Sequence, residues 1–194
     1  MLIAGGSGIL IVLLLFLFRG PLRENVIAGV ISQFYKGSVS KAYEDSLLGI
    51  TPAAKKAGVT FNNQSREIAV CNTSGYKGFG IDISCNKSTS VNQLTSTVNK
   101  AFIEMWRQNS KQFETYLLES GWQKEWNAQQ PIDEIFNTPD LDTSIGVNYS
   151  KQYGHVMCEL SIFYNGETDP RYSSDLGGLA CFRSVHVFGY DLGS

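Results

Sequence analysis

Four cysteines and two histidines are the residues of this 194-residue chain best suited to covalent or metal chemistry. His155 stands three residues before Cys158 and His186 five after Cys181, so a thiol activated by an imidazole on a neighbouring strand is one arrangement to weigh. Disulfide bonding would remove it, because a paired sulfur offers no thiolate. Zinc is a weaker reading: there is no C-x-x-C pair, and the histidines lack the spacing of a tetrahedral structural site. Neither a G-x-S-x-G elbow nor an H-E-x-x-H helix occurs, which removes the commonest serine-hydrolase and metalloprotease patterns. Gly75-Tyr76-Lys77-Gly78-Phe79-Gly80 lacks the closing Lys-Ser/Thr of a phosphate-binding loop and reads as a hairpin turn.

The carboxylates offer a second chemistry. Glu44 with Asp45, Asp133 with Glu134, and Asp140 with Asp142 are pairs that supply an acid and a base, or oxygen ligands for calcium. Asp140-Leu141-Asp142 has neither the glycine nor the distal glutamate of an EF-hand loop, so these pairs read as solvated faces. No cofactor or metal is expected, and the chain reads more readily as a binding or structural protein than as an enzyme. Tyr76, Phe79, Tyr153, Tyr164 and Tyr172 fall in turns or at loop edges, where an aromatic anchors a partner protein or a glycan. They are the candidate binding residues.

The elements that would position these groups begin at the N-terminus. From Leu2 to Phe18 there is no charged residue, and Arg19 ends the run. At 1.5 Å per residue a helix over this stretch measures roughly 25 Å, enough to cross a bilayer with local thinning. The small residues Ala4 to Ser7 precede the apolar run, whereas a signal-peptidase site must follow it, so retention as an anchor is the expectation for residues 1–19. Arg19 and Arg23 follow the anchor and no basic residue precedes it, which by the positive-inside rule places the C-terminal part in the cytoplasm.

The cysteines argue the other way. Cys71 and Cys85 flank the 75–80 turn, and a hairpin centred near Gly78 sets them opposite one another; Cys158 and Cys181 lie in two further strand-like segments. Four cysteines allow three connectivities, of which Cys71–Cys85 and Cys158–Cys181 join neighbouring strands. Disulfides belong to an oxidising exterior. Acceptor patterns for N-glycosylation at Asn63, Asn72, Asn86 and Asn148 add to that reading where the host glycosylates. The expected location is a membrane anchor with an extracytoplasmic domain, periplasmic or at the cell surface.

Pro21 opens a helical stalk over residues 20–50, interrupted near Gly37 and ending by Thr51-Pro52. Residues 51–194 then form one α+β domain. Strand character runs over 59–71 and 79–85, and Ser90 is placed to cap a long helix that stops at Gly121. Its apolar face carries Leu94, Val98, Ala101, Met105, Phe113 and Leu117, widened by Phe102, Trp106 and Tyr116. Segments 145–150, 155–164 and 179–190 alternate as strands of an antiparallel meander, with Val156, Cys158, Leu160 and Ile162 facing the core. The expected fold is an N-terminal transmembrane helix followed by an antiparallel β-sheet packed by one long helix.

A net charge of −2, from 16 basic and 18 acidic side chains, argues against a nucleic-acid binder. The function expected is a membrane-anchored extracytoplasmic binding module, held by residues 2–18, whose partner is a protein or an envelope component. An alternative comes from the plan of the chain: an apolar N-terminal helix, Pro21, a continuing helix, then a sheet with a cysteine loop near the C-terminus. This plan resembles type IV pilins, which implies a structural subunit of a surface filament; Gly5 stands where the pilin pattern has the glutamate used in assembly. An envelope enzyme using Asp133, Glu134, Asp140 and Asp142 is the third reading.

Overall fold

A computed structural model describes residues 21–62, 69–76, 80–91, 96–125, 145–164 and 177–187. The first element is α1, Pro21–Lys56, an unbroken helix of 36 residues. Ala28, Tyr35, Val39, Ala42, Tyr43, Ile50 and Ala54 recur along it at helical spacing and are buried. That stripe continues on both sides of Gly37 and Pro52, and it explains why the helix passes through both. A glycine costs a helix about 1 kcal/mol and an interior proline about 3 kcal/mol, less than the burial of the apolar side chains flanking them returns. The helix closes where the Val59 amide reaches back to the Ala54 carbonyl, with Ala57 and Val59 buried.

Of the strand expected over 59–71, the described residues show a bridge between Phe61 and Val91 and ladder pairing from Val70, while 63–68 lie outside them. Strands β1 (Val70–Tyr76) and β2 (Gly80–Ser90) form the cysteine hairpin. Then come α2 (Ser96–Glu119) and the strands β3 (Gln123–Lys124), β4 (Ile145–Tyr153), β5 (Val156–Tyr164) and β6 (Gly177–Val187). Ser90 is thus the end of a strand, and the helix it was expected to cap starts at Ser96. Gly121, at φ +84°, ends α2, and the Trp122 amide bonds to the Leu117 carbonyl.

The six strands make one antiparallel sheet in the order β1-β2-β6-β5-β4-β3. Strands β4, β5 and β6 form the expected meander. The cysteine hairpin joins it through β2 and β6, pairing over Ile81 to Ser90 against Val187 to Gly178. At the start of β6, Gly177 adopts φ +101° and lies so close to the Ser161 carbonyl that any Cβ there would collide with it. A side chain at Gly178 would meet the Thr89 carbonyl in the same way.

One face of the sheet is the core. It carries Ile83 and Cys85 of β2, Leu179 and Cys181 of β6, Val156, Cys158, Leu160 and Ile162 of β5, and Val147 and Tyr149 of β4, all buried. Helix α1 lies on this face over β2 and β6, and α2 packs beside α1. The buried edge of α2 is Trp106, Ser110, Phe113 and Leu117, with the Trp106 and Phe113 rings edge to face. Met105 and Tyr116, expected on that edge, lie exposed on one flank of it. Among the described residues no helix is long and apolar enough to cross a membrane; the apolar run over 2–18 lies outside them.

Candidate functional site

Both disulfides exist as the strand arrangement favours. Cys71 pairs with Cys85 and Cys158 with Cys181, each across directly opposed positions of neighbouring strands. No cysteine is left free. A cysteine nucleophile activated by His155 or His186 is therefore ruled out, and two disulfides belong to an oxidising, extracytoplasmic compartment. His155 is exposed at the β4–β5 turn, and His186 meets Asp82 through Nδ1 at 2.5 Å. Among the described residues no cluster of three or more His, Cys, Asp or Glu side chains is placed to hold a metal.

Of the candidate carboxylates, Glu44 and Asp45 are among the described residues. Glu44 pairs with Lys87, Asp45 is exposed on the same helix, and Asp133, Glu134, Asp140 and Asp142 lie outside the described residues. Among the described residues, a half-buried carboxylate is found elsewhere, at Glu114. Glu114 of α2 accepts the Tyr149 hydroxyl and the Lys124 ammonium, each at 2.9 Å, and so ties α2 to β3 and β4. Burial first, then the hydrogen bond and negative charge of Glu114, push the Tyr149 phenol far above its ordinary value, so it stays neutral. A carboxylate so paired holds elements together.

Of the five candidate aromatics, Tyr153 is the one whose side chain is among the described residues. Phe79 and Tyr172 lie outside the described residues; Tyr76 and Tyr164 are the last residues of β1 and β5, and their side chains also fall outside. Tyr153 ends β4 on the core side, half-buried, with the Lys151 ammonium 4.9 Å from its ring centre. Tyr153 and Tyr164 close opposite ends of the β4–β5 hairpin.

What the fold offers instead is the second face of the sheet, on which no described helix packs. Alternation sends Asn72 and Ser74 of β1, and Ser84, Asn86 and Ser88 of β2, to this face, all exposed. From β6 come Ser184 and His186, both exposed, together with a half-exposed Phe182 and Ala180; from β5 come a half-exposed Met157 and an exposed Glu159. Phe182 stands between Asn86 on one side and Met157 on the other, in the register of the central strands. An aromatic and a thioether at the centre, ringed by hydroxyl and amide side chains with Glu159 and the Asp82–His186 pair further out, form a surface that excludes water at its middle and hydrogen-bonds at its rim. Asn148, on the same face, has a buried side-chain oxygen without a hydrogen-bond partner.

No protein-family model, no curated protein and no solved structure matches this chain. The resemblance to type IV pilins thus rests on the plan of the chain. The sequence reasoning missed Phe182 and Met157 because β6 reads Leu179-Ala180-Cys181-Phe182, apolar on both faces, so period-two alternation does not mark the outward side. The signal that would have found Phe182 is the position of Cys181: once a disulfide fixes that residue inward, its neighbour must point out.

Proposed function

We propose that this chain is a membrane-anchored extracytoplasmic interaction module, held by residues 2–18, that presents the open face of its sheet to a partner protein or envelope component. The observation that carries the reading is the Phe182–Met157 centre with its rim of Asn86, Ser84 and Ser184. An aromatic and a thioether at the middle of a largely hydrophilic face are the composition expected of a contact anchor. The two disulfides support an exported domain, and the uncharged run over 2–18 supports the anchor. Replacing Phe182 by a photoreactive phenylalanine in the full chain, in its native membrane, tests it. A discrete adduct at position 182, absent when the probe stands at Thr115 on α2, is the expected result. No adduct beyond the Thr115 control would remove the face as the binding surface.

A second reading, a structural subunit of a surface filament, is favoured by one observation: α1 runs unbroken from Pro21 to Lys56 along the sheet, as the plan of such subunits requires. Shearing intact cells separates the two, since a filament subunit is recovered in the sheared fraction and an anchored module stays with the membrane.

A further inference from the structure

The two disulfides share the core face of the sheet but have unlike surroundings. Cys85, Cys158 and Cys181 are fully buried, whereas Cys71, on the outermost described strand β1, is partly exposed. Cys71, Cys85 and Arg183 stand directly opposite one another, in that order, across β1, β2 and β6. Opposed side chains on one face have Cβ atoms about 5 Å apart, so Arg183 flanks Cys85 on the side away from Cys71. Helix α1 covers the row: the Ser32 carbonyl oxygen lies 3.5 Å from Cys71 Sγ, and one turn further on the Tyr35 ring centre lies 3.8 Å from the Arg183 guanidinium. Disulfide and guanidinium thus sit beneath the same turn.

Arg183 is half-buried against the rings of Tyr35 and Phe34, and among the described residues no carboxylate neutralises it. The second disulfide is also flanked by cations, Lys87 opposite Cys181 and Lys151 opposite Cys158. Those two are already engaged, Lys87 with Glu44 and Lys151 with the Ser120 carbonyl. A half-buried cation gains most from an anion that appears beside it, and the sulfur next to Arg183 becomes one when its disulfide opens.

We propose that Cys71–Cys85 is a thiol–disulfide exchange site for an exported dithiol, with Cys71 the sulfur attacked and Cys85 the sulfur that leaves, while Cys158–Cys181 is structural. A thiolate of the dithiol approaches from the sheet edge and bonds to Cys71 Sγ as the Cys71–Cys85 bond breaks. The electron pair departs on Cys85 as a thiolate, which Arg183 stabilises; a leaving thiol of lowered pKa departs faster. The second thiol of the reagent gives up its proton and attacks its own sulfur in the mixed disulfide, releasing Cys71. The dithiol is oxidised to its disulfide, and Cys71 and Cys85 are reduced and take up its two protons. The site uses neither the anchor nor the open face, so its failure leaves the interaction module standing.

The full chain in isolated membranes is treated with graded dithiothreitol, quenched with acid, alkylated and mapped by peptide mass. Cys71 and Cys85 are expected to be alkylated while Cys158 and Cys181 stay paired. Opening of both pairs together, of Cys158–Cys181 first, or of neither until the chain unfolds overturns the proposal. Glutathione, a monothiol, stops the reaction at the mixed disulfide, which is expected on Cys71 with Cys85 alkylated; glutathione on Cys85 contradicts the assignment. Arg183→Gln is expected to slow exchange several-fold and to move the thiolate ultraviolet absorbance of the reduced pair to higher pH, and Arg183→Lys to restore both. A change in stability alone does not move that absorbance. Equal rates and equal titrations in all three proteins remove Arg183 from the site and overturn its part in the exchange.

Discussion

The ammonium of Lys87 lies 3.4 Å from a carboxylate oxygen of Glu44 and 4.7 Å from the ring centre of Tyr43, two consecutive residues of α1. Lys87 points inward from β2, and its side chain is 7% exposed while that of Glu44 is 63% exposed. The charge is therefore sheltered by an aromatic ring and neutralised from the solvent side, and the contact fixes where the helix crosses the strand. Lys87→Met, which keeps the length and removes the charge, is expected to cost less than about 1.5 kcal/mol. Lys87→Glu sets two carboxylates together at a buried site and is expected to cost about 3 kcal/mol or more. Urea unfolding of the two variants checks the difference; equal losses would mean that charge plays no part in the contact.

The disulfides close sequence separations of 14 and 23 residues. Chain-entropy reasoning gives each about 3 kcal/mol of stabilisation, differing by only a few tenths between them. Replacing either pair by alanine should therefore lower stability by a similar amount, measured by denaturant midpoint under non-reducing conditions. A loss confined to one pair would show that strand packing, rather than loop closure, sets the effect.

Tyr149 gives a pH-dependent prediction. Its folded-state value lies far above the unfolded 10.0, through burial first and Glu114 second. The folded chain then holds the phenolic proton more tightly than the unfolded chain. The stabilisation is complete below about pH 10 and is lost as pH rises further, by at most about 1.4 kcal/mol per pH unit. Tyr149→Phe removes that component of the alkaline slope and lowers neutral-pH stability by about 1 kcal/mol. Unfolding curves at about pH 9 and about pH 11 for both proteins test it; parallel slopes would contradict the assignment.

Phe182 separates binding from folding. Half-exposed on the open face, it is expected on replacement by alanine to leave stability within about 1 kcal/mol while abolishing partner capture by a probe at the neighbouring Met157. Unfolding by Phe182→Ala would assign the ring to the core instead.

Much of the framework was legible where local chemistry and tertiary packing agree. A hairpin centred on Gly78 set Cys71 against Cys85, and the alternation of Val156, Cys158, Leu160 and Ile162 marked the core side of β5. Gly121 announced the end of α2. Where packing overrides local preference the reading went astray. Gly37 and Pro52 lie inside α1 because the buried stripe from Ala28 to Ala54 continues past both, and no local propensity reports that stripe's partner. The pairing of β2 with β6 joins residues about a hundred positions apart, as Asp82 with His186, and creates the open face. Without that pairing the outward direction of Phe182 has no signature in the sequence.

The central claim is that the folded domain stands outside the membrane, tethered to it. Thr115→Cys puts one free thiol on an exposed position of α2, since the natural cysteines are all paired. Intact cells are treated with a membrane-impermeant maleimide mass tag, and the shift is read on a gel beside lysed cells. The account predicts full tagging before lysis, with the protein in the membrane fraction. Tagging only after lysis would contradict it and place the domain in the cytoplasm, as the charges at Arg19 and Arg23 alone would have it.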